Sequence, residues 1–410
     1  MRVHFLVVET NQQGATIKNL TTSERRLLVY RTPILPLSET FIRDQILAMS
    51  HWVPTLMGET LQPVRPDLDG LSISTLFANS LGGKIARRID QLLEVGIGYS
   101  PAKLKMLRRS RPNLLHVHFA TDAVRIWPTA KKLGIPFLVT LHGYDINTHA
   151  DWWRAGHGGN LMRGYPEQLL AMAKELQVSF IAVSETIRRA ALAYGLPPEK
   201  IVIKHIGIPT GNFLPNIVPP SKRGSDILFV GRLVEKKGAN YLIQAAALIQ
   251  PHVPALRLIL IGQGSDAERE ALEKQARELG VNAVFMGGQP HAEVRRQLGL
   301  ARALCLPSIT SSNGDAEGLP ISVLEAQAAG VPVVTTATGG CAEAVLNGTT
   351  GFLVAERDVQ QLAASLETLM LDGALADQMG RSATEHIRTK FDINACTAEL
   401  ERHYDLLVAQ

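Results

Sequence analysis

The sequence predicts an α/β protein with two Rossmann-like domains, each a doubly wound parallel sheet, that face each other across a cleft. Three observations support this prediction. The 410 residues suit two domains better than one. Short apolar runs alternate with helical patterns in both halves, which is typical of βαβ units. The two halves also carry opposite net charge, as expected for domains with different partners.

The bulk composition excludes several classes of protein. Apolar residues make up 46% and charged residues 20% of the chain, as in soluble globular proteins. No apolar run approaches the roughly 18 residues of a membrane-spanning helix, and no secretory signal peptide is predicted. The three cysteines lack metal-ligand spacing and favour reduced thiols in the cytoplasm. Residues 1–220 contain 25 Lys and Arg against 16 Asp and Glu, a net charge of +9, and residues 221–410 contain 17 against 22, a net charge of −5.

Buried strands are predicted where short apolar runs end at glycine, proline or polar residues. In the amino-terminal half these runs are 27–30, 114–118, 137–141 and 180–183, with helices at 39–49 and 187–194. In the carboxyl-terminal half they are 227–230, 256–261, 303–306 and 331–335, with helices at 241–249, 266–279, 292–300 and 320–329.

Domain boundaries follow from these elements. Residues 1–26 precede the first predicted strand and are expected to form a poorly ordered or atypical extension. Residues 27–215 form the first predicted domain and 216–392 the second, joined by a proline-rich linker within 209–223. Residues 393–410 are expected to form a final helix, which we expect to return to the first domain.

The loop 231–238, Gly-Arg-Leu-Val-Glu-Lys-Lys-Gly, directly follows a predicted strand. Ligands of doubly wound folds bind at the carboxyl ends of strands, so Arg232 and Lys237 are placed to bind an anion there. Taken alone, two cations in a loop are more often simply solvated.

A second segment, 317–326, predicts a phosphate site at a helix start. Pro320 suits the first helical position, so the backbone amides of Gly318 and Leu319 would lie at the positive end of the helix. Glu317 precedes this helix and Glu325 lies within it, so they can contact different parts of one ligand. The alternative is an acidic helix start and a solvated Glu325, although the small residues after Glu325 favour close packing.

Together these segments resemble the large retaining glycosyltransferase family 4 of the GT-B superfamily. Glu317 and Glu325 have the family's E-x7-E spacing, and the 231–238 loop resembles its diphosphate-binding segment. Other matching segments follow in the family's order: Gly262-Gln263-Gly264, Phe285-Met286-Gly287, Leu306-Pro307-Ser308 and Gly339-Gly340-Cys341-Ala342-Glu343.

The resemblance implies a role for each matching position. Arg232 and Lys237 would neutralise the donor diphosphate, Glu325 would bind the nucleotide ribose, and Glu317 the transferred sugar. The predicted donor-binding set is Ser38, Arg232, Lys237, Gly262, Met286, Gly287, Glu317, Gly318, Leu319 and Glu325. The predicted catalytic set is His142, Glu317, Arg232 and Lys237.

The amino-terminal half departs from better-known relatives. Instead of a glycine-rich loop after its first strand it has Ser38-Glu39-Thr40-Phe41, which resembles the branch associated with bacterial exopolysaccharide and capsule assembly. Ser38 is expected to cap the following helix or to help bind donor phosphate there. His142 follows the strand 137–141 at a position where the family often has an active-site histidine. His116 and His118 alternate along a strand, so only one of them is expected to face the cleft.

The resemblance implies transfer of a hexose-type sugar from a nucleotide diphosphate sugar to a hydroxyl, with retention of configuration. The acceptor is expected to be a lipid-linked saccharide, and no nucleic acid is expected as a partner. No cofactor and no metal site are predicted, because Asp67 and Asp69 form a D-x-D pattern only within a proline-bounded turn. The nucleotide sugar is a co-substrate.

Three alternatives have different consequences. A dinucleotide-dependent oxidoreductase is disfavoured, because no G-x-G-x-x-G follows a first strand. A sugar-nucleotide epimerase or a sugar phosphorylase of the same fold stays open. A non-catalytic sugar-binding protein is disfavoured by the intact set Arg232, Lys237, Glu317 and Glu325.

The segment 81–111 predicts peripheral docking on the inner face of an anionic cytoplasmic membrane. It contains eight basic residues against Asp90 and Glu94, with Ile85, Ile89, Leu92 and Leu93 interleaved at helical spacing. The apolar side chains are expected to pack inward while the basic face attracts lipid headgroups. Trp152 and Trp153 are candidate interfacial anchors. A solvated basic face and two core tryptophans are the equally weighted alternative.

Overall fold

The structure, a computed structural model, describes residues 25–63, 65–213 and 218–409. Most of the predicted extension, residues 1–24, lies outside this described part. In the amino-terminal half the strands are β1 (Arg26–Tyr30), β2 (Pro33–Ile34), β3 (Val53–Gly58), β4 (Thr60–Leu61), β5 (Ile73–Thr75), β6 (Leu114–His118), β7 (Phe137–Leu141), β8 (Val178–Ala182) and β9 (Ile201–Ile203). In the carboxyl-terminal half they are β10 (Asp226–Val230), β11 (Arg257–Ile261), β12 (Ala283–Gly287), β13 (Ala303–Leu306), β14 (Val333–Thr336) and β15 (Gly351–Val354).

Helices alternate with these strands. The amino-terminal helices are α1 (Thr40–Leu47), α2 (Leu81–Ile97), α3 (Pro101–Ser110), α4 (Ala120–Lys131), α5 (Tyr144–Asn147), α6 (Ala150–Arg154), α7 (Tyr165–Ala173) and α8 (Glu185–Tyr194). The carboxyl-terminal helices are α9 (Ala239–Ile249), α10 (Asp266–Glu278), α11 (His291–Leu300), α12 (Ile321–Ala328), α13 (Cys341–Ala344), α14 (Val359–Leu371), α15 (Gly373–Lys390) and α16 (Ile393–Val408).

Two separate parallel sheets result. The first has the order β5-β3-β1-β6-β7-β8-β9 and the second the order β12-β11-β10-β13-β14-β15, with β2 and β4 pairing outside both. In each sheet the chain begins in the middle, builds outward and then returns to the other side. The strand order therefore reverses between β1 and β6 and between β10 and β13, where such folds bind ligands. This architecture confirms the predicted fold class.

Most predicted elements lie within three residues of their observed positions, and β13 begins and ends where predicted. Apolar strands such as β6 and β7 are buried along their whole length, as expected for parallel strands covered on both faces. The prediction that Pro320 begins a helix is wrong by one residue. Pro320 is extended and serves as the N-cap of α12, with its carbonyl accepting from the backbone N–H of Val323 at 3.0 Å.

The chain crosses back to the first sheet at its end. Helix α16 packs on the amino-terminal sheet, where Tyr404 hydrogen-bonds Nδ1 of His116 at 2.8 Å. The indole N–H of Trp52 donates to Asp405 at 3.0 Å. Glu401 accepts from the backbone amides of Ser50, His51 and Trp52. The buried carboxylate thus compensates amides that would otherwise have no partner.

Loops of the two sheets also meet directly. The backbone N–H of His149 donates to the carbonyl of Asn313 at 2.9 Å, and the side chain of Asn147 donates to the carbonyl of Ala316 at 3.3 Å. These contacts place the loop after β7 against the loop that precedes α12, on one side of the cleft.

Helix α2 contradicts the prediction for its apolar residues. Ile85, Ile89, Leu92 and Leu93 do not pack inward but are exposed. The side chains that attach α2 to the domain are instead polar, and Asp90 is buried. Sequence periodicity identified the two faces of the helix correctly but assigned them to the wrong sides.

Candidate functional site

A cavity of about 1120 Å³ lies between the two sheets. Its walls include the loops that follow β1, β6 and β7 on one side and β10, β11 and β13 on the other. Typical small-molecule sites have volumes of about 300–1,000 Å³, so this cavity is large. Its position at both strand-order reversals makes it the candidate site.

The loop after β10 brings two lysines to the cavity wall. Lys237 ends a short 3-10 turn, and Gly238 then takes φ +66°, where a Cβ would lie 2.0 Å from the carbonyl oxygen of Pro307. Only glycine fits this conformation and this close approach. Lys237 pairs with Glu317 at 2.7 Å, and Lys236 with Asp315 at 2.9 Å.

Glu317 is a buried carboxylate that lines the cavity beside these lysines. Burial by itself would raise its pKa, but Lys237 and Lys236, with hydrogen bonds from Lys237 and Ser308, lower the pKa to about 2. The Ser308 hydroxyl donates to Glu317 at 3.0 Å. Glu317 is therefore ionised at neutral pH and can accept hydrogen bonds from a ligand.

Arg232 is an exposed cation at the cavity wall. Within residues 25–63, 65–213 and 218–409 its guanidinium makes no ion pair or hydrogen bond, unlike the ammonium group of Lys237. Burial raises the pKa of Glu39 and that of Tyr144 on the opposite domain, and Arg232 is close enough to both groups to oppose part of that rise. Its charge is thus directed at the interdomain space, where an anionic ligand can be bound.

The start of α12 provides backbone donors. Leu319, Pro320, Ile321 and Ser322 all line the cavity. The first turn of a helix has amides without intrahelical partners and the positive end of the helix dipole, both of which favour a phosphate. Gly318 does not line the cavity itself but holds the turn against the other domain.

Glu325 points from α12 to the cavity and is 6% exposed. Nε2 of His291 contacts its carboxylate at 2.6 Å, and Arg295 lies 2.9 Å from Nδ1 of the same imidazole. Arginine is always a donor, so Nδ1 accepts and Nε2 carries the proton that is donated to Glu325. Neither His291 nor Arg295 was identified from the sequence, because their connection to Glu325 appears only in three dimensions.

The predicted donor-binding residues after β11 and around the end of β12 lie only partly at the cavity wall. Gly262 lines the cavity as expected, but Met286 and Gly287 do not. Gly287 takes φ +66° at the end of β12, which turns the chain so that the next two residues, Gly288 and Gln289, reach the cavity wall.

On the opposite wall, His142 follows β7 and lines the cavity. Asp145 shapes its loop by accepting from the backbone amides of His142 and Gly143, at 3.0 and 2.9 Å, and from that of Ala120 at 2.8 Å. Asp145 is fully buried and was not predicted as a site residue. A short acidic residue four positions after the last residue of a strand is the sequence signal that can reveal it.

The imidazole of a second histidine, His118, lies behind that of His142. Nδ1 of His118 contacts Nε2 of His142 at 3.0 Å. Burial first, and then neighbouring cationic groups such as Arg31, lower the pKa values of both histidines well below the usual range, so both are neutral at pH 7. The prediction that His116 or His118 faces the cleft is wrong, because both are buried and neither lines the cavity.

Arg31, directly after β1, is a further cavity residue that the sequence did not reveal. Its guanidinium pairs with Glu39 at 2.8 Å and with Asp122 at 2.5 Å. Asp122 also accepts from the backbone N–H of Thr32 at 2.7 Å. Two carboxylates from separate parts of the domain thus orient one arginine at the strand-order reversal of the first sheet.

Two amino-terminal predictions need correction. Ser38 lines the cavity but does not cap a helix. It lies in a 3-10 turn, and no side-chain cap forms at the start of α1. Trp153 is 1% exposed and Trp152 lines the cavity, so neither has the position expected of a membrane anchor.

The two domains touch through Gly318. A Cβ at this position would lie 1.9 Å from the carbonyl oxygen of His142. The absence of a side chain therefore allows the start of α12 to approach the His142 loop, and this approach brings the two walls of the cavity together.

Within the described ranges, no group of three or more His, Cys, Asp or Glu side chains is arranged to hold a metal ion. Asp69 N–H donates to the carboxylate of Asp67 at 3.0 Å, an Asx-type contact that agrees with a turn for the D-x-D pattern. Across the same described ranges, no helix is both long and apolar enough to span a bilayer.

Comparison with known proteins relates this geometry to a family. The family model described as Glycosyl transferases group 1 matches residues 214–386, and that described as Glycosyltransferase Family 4 matches residues 80–212. The chain is 33% identical over 207 residues to a putative colanic acid biosynthesis glycosyltransferase of Salmonella typhimurium, covering 50% of this chain and 51% of the relative. It is 31% identical over 215 residues to an amylovoran biosynthesis glycosyltransferase of Erwinia amylovora, covering 52% of each. The match thus spans about half the length of these curated relatives.

Solved structures support the same fold. The Anabaena protein HepE, in a crystal structure with UDP and glucose, superposes with a TM-score of 0.74 at 17% identity, covering 93% of this chain and 99% of HepE. At that identity the likeness shows the GT-B fold alone. The two family models together extend from residue 80 to residue 386 and meet near the change from the first sheet to the second. With the E-x7-E pair of Glu317 and Glu325 on the wall of the interdomain cavity, these matches show that the chain belongs to glycosyltransferase family 4.

Proposed function

We propose that this protein is a retaining glycosyltransferase that moves a hexose-type sugar from a nucleotide diphosphate sugar to a hydroxyl of a saccharide acceptor. One observation carries the proposal. Arg232, Lys237, Glu317 and Glu325 line one wall of a single interdomain cavity, and His142 lines it too. Two cations, a helix start and two carboxylates supply complementary partners for a diphosphate, a ribose and a sugar.

The donor is proposed to lie along the carboxyl-terminal wall. Arg232 and Lys237 bind the diphosphate together with the backbone amides at the start of α12. Glu325 accepts from the ribose hydroxyls, and Gly262, Gly288 and Gln289 surround the base. Glu317 accepts from hydroxyls of the transferred sugar, a role that suits a carboxylate with a pKa of about 2.

The proposed chemistry keeps the sugar's configuration by attack on the same face. The acceptor oxygen bonds to the anomeric carbon while the bond from that carbon to the diphosphate oxygen breaks. The acceptor proton passes to the departing phosphate oxygen. The cationic wall stabilises the negative charge that develops on the diphosphate. Because His142 is neutral, it hydrogen-bonds hydroxyl groups and does not attract the charged diphosphate.

The acceptor is proposed to be a lipid-linked saccharide used in surface polysaccharide assembly, with the enzyme at the inner face of the cytoplasmic membrane. The names of the Salmonella and Erwinia relatives support the polysaccharide class. The net charge of +9 over residues 1–220 supports an anionic surface as a partner. Each basic residue near such a surface contributes about 1 kcal/mol.

The first experiment is a thermal-shift screen against UDP, GDP, ADP, CMP and dTDP, followed by transfer assays with sugars of the nucleotide that binds. Formation of a glycosylated acceptor with retained configuration supports the proposal. Epimerised donor without acceptor would identify an epimerase, and sugar 1-phosphate formed only with inorganic phosphate a phosphorylase. Nucleotide binding without any product would leave a sugar-binding protein as the explanation.

Glu325→Gln is expected to weaken nucleotide diphosphate binding by roughly 10- to 100-fold, because a hydrogen bond to a charged group contributes about 1.5–3 kcal/mol. Isothermal titration calorimetry measures the effect. Glu385→Gln, on the exposed surface of α15, is the matched control and should bind like wild type. Unchanged affinity in a folded Glu325→Gln variant would move the ribose site elsewhere.

Transfer is expected to continue in excess EDTA, because the proposed charge stabilisation comes from Arg232, Lys237 and the start of α12. The measurement is the initial rate before and after dialysis against chelator. If the transfer rate is lost after chelation and restored by magnesium or manganese, the prediction is wrong. The donor diphosphate would then have to supply ligands to the metal ion.

A further inference from the structure

Helix α2 is attached to the amino-terminal domain by its polar face. Arg87 pairs with Glu59 at 2.7 Å, and Glu94 pairs with the buried Lys103 at 3.1 Å. Asp90 accepts from the hydroxyl of Ser100 and from the backbone N–H of Ala102, the latter at 2.9 Å. The inward positions 87, 90 and 94 follow a spacing of three and four residues and therefore form one face of the helix.

The opposite face of α2 is apolar and exposed. Leu81 is 76% exposed, Leu92 69% and Val95 77%. We define the apolar face of α2 as these residues together with three other exposed apolar side chains of the same helix, Ile85, Ile89 and Leu93. A surface helix ordinarily buries its apolar stripe, so this helix has the reverse orientation.

Such a face is not explained by random surface exposure. Single exposed apolar residues are normal, but a contiguous apolar patch with a polar rim marks an interaction surface. Ile85, Ile89 and Leu92 succeed one another at intervals of four and three residues, so they form a continuous stripe. The ion pairs to Glu59 and Lys103 hold the stripe in its outward orientation.

Charge indicates which partner fits. Helix α3 packs against α2, and both helices carry exposed basic residues. These residues are Lys84 and Arg88 on α2 and Lys105, Arg108 and Arg109 on α3. Across the described residues, none of these side chains makes an ion pair with a carboxylate. An apolar stripe with cations beside it complements the interfacial region of an anionic bilayer, whose headgroups are negative and whose acyl chains are apolar.

We propose that the apolar face of α2 inserts into the interface of an anionic bilayer. This differs from attraction of a basic surface alone, because burial of apolar side chains makes part of the binding insensitive to salt. The helix lies in the plane of the interface while its polar face stays on the protein. The inference extends the proposed lipid-linked acceptor, but it does not depend on the sugar transfer reaction.

Vesicle co-sedimentation with the full chain tests the proposal. We expect binding to phosphatidylcholine vesicles that contain phosphatidylglycerol, and weak binding to phosphatidylcholine alone. At about 1 M salt the Debye length is about 3 Å, so a purely electrostatic interaction should disappear while part of this binding persists. The triple variant Ile85→Ser, Ile89→Ser, Leu92→Ser should lower the bound fraction by about tenfold or more.

A matched control separates insertion from a general loss of surface apolarity. Leu161 and Leu176 are 72% and 95% exposed outside α2, so Leu161→Ser with Leu176→Ser should bind like wild type. If the wild-type protein stays in the supernatant with both kinds of vesicle, with and without phosphatidylglycerol, the proposal is overturned. Binding that vanishes at high salt and is unaltered in the triple variant overturns it as well. A concentration-dependent dimer in light scattering that the triple variant abolishes would make a second copy the occupant and would also overturn it.

A second inference rests on the proposed function and concerns Glu325. Arg295 donates to Nδ1 of His291, which fixes the tautomer in which Nε2–H donates to Oε1 of Glu325. Among the described residues, no other hydrogen bond to a side-chain oxygen of Glu325 is found. The structure assigns His291 as a positioning residue that holds one carboxylate oxygen and leaves the other for the ribose hydroxyls.

The expected result for His291→Ala is a higher KM for the donor, by roughly tenfold, with kcat nearly unchanged, because the interaction orients the ground-state ligand. His291→Gln, whose amide can also donate, should recover most of the affinity. If Glu325→Gln weakens nucleotide binding and His291→Ala does not, the positioning role fails and the proposed function survives. If neither variant changes binding, the proposed ribose site itself fails.

Discussion

Replacing Lys237 by alanine is expected to lower kcat/KM for sugar transfer by about 100-fold or more. Removing one donor to a developing negative charge costs about 10²–10³ in rate in well-studied enzymes. Lys237 lines the cavity wall that is proposed to bind the donor, and it also pairs with Glu317 at 2.7 Å. The substitution would remove a cation from the proposed diphosphate site and the main counterion of the buried Glu317 carboxylate. Steady-state kinetics with a fixed acceptor measure the effect.

The Lys237 result needs controls for charge and for folding. Lys274→Ala removes a lysine that is paired on the exposed surface of α10 and should leave kcat/KM unchanged. Lys237→Arg keeps the charge and should retain more activity than Lys237→Ala, although arginine differs in shape. If the Lys237→Ala variant folds and its kcat/KM is within about threefold of the wild-type value, the proposed leaving-group site is contradicted. Loss of the thermal unfolding transition would instead indicate that the Lys237–Glu317 pair supports the fold.

The strands of both sheets were largely predictable because each is a short apolar run with a defined end. Residues 303–306 show this clearly, because the run Ala-Leu-Cys-Leu lies between Arg302 and Pro307. The predicted bounds of this strand are those observed for β13. The edge strands β5 and β12 were not predicted, and both are only partly buried. The sequence of β5, Ile-Ser-Thr, lacks a continuous apolar run, whereas β12 contains the apolar run Ala-Val-Phe-Met and was overlooked.

The candidate site was predictable where its residues lie close together in the sequence, so that one local motif determines their arrangement. The 231–238 loop and the Glu317–Glu325 helix start are local features, and both lie at the cavity. Arg31 and His291 were missed because their partners come from distant parts of the chain: Asp122 for Arg31 and Glu325 for His291. Met286 and Gly287 do not line the cavity, whereas Gly288 and Gln289 do, because a positive φ at Gly287 redirects the chain after β12.

Helix α2 shows why periodicity alone cannot assign a buried face. An amphipathic pattern gives two faces, and the apolar one is usually buried. Here Glu59, Ser100 and Lys103 provide partners for the polar face, and these partners come from a separate strand end and from α3. Which face is buried therefore depended on tertiary contacts that the local sequence does not contain.

Gly318→Ala is expected to lower kcat/KM by about 100-fold while nucleotide binding changes little. The new Cβ would lie 1.9 Å from the carbonyl oxygen of His142, so the start of α12 and the His142 loop must separate by more than about 1 Å to reach an ordinary contact. Misplacement of catalytic groups by about 1 Å can cost about 10²-fold in rate. The proposed donor contacts of Arg232, Lys237 and Glu325 remain within the carboxyl-terminal domain, so the nucleotide should still bind.

The comparison between binding and turnover makes this prediction specific. Gly299 is a helical glycine with no atom within 4 Å of the position that a Cβ would take, so Gly299→Ala is the matched control and should keep both affinity and rate. Calorimetry should then show nearly wild-type nucleotide affinity in both variants, while the transfer rate should fall only in Gly318→Ala. If that variant transfers sugar at the wild-type rate, contact between the two walls at Gly318 is not required for catalysis. If it loses nucleotide affinity and rate together, the close approach serves the donor site itself, because the α12 amides must then depend on support from the His142 loop.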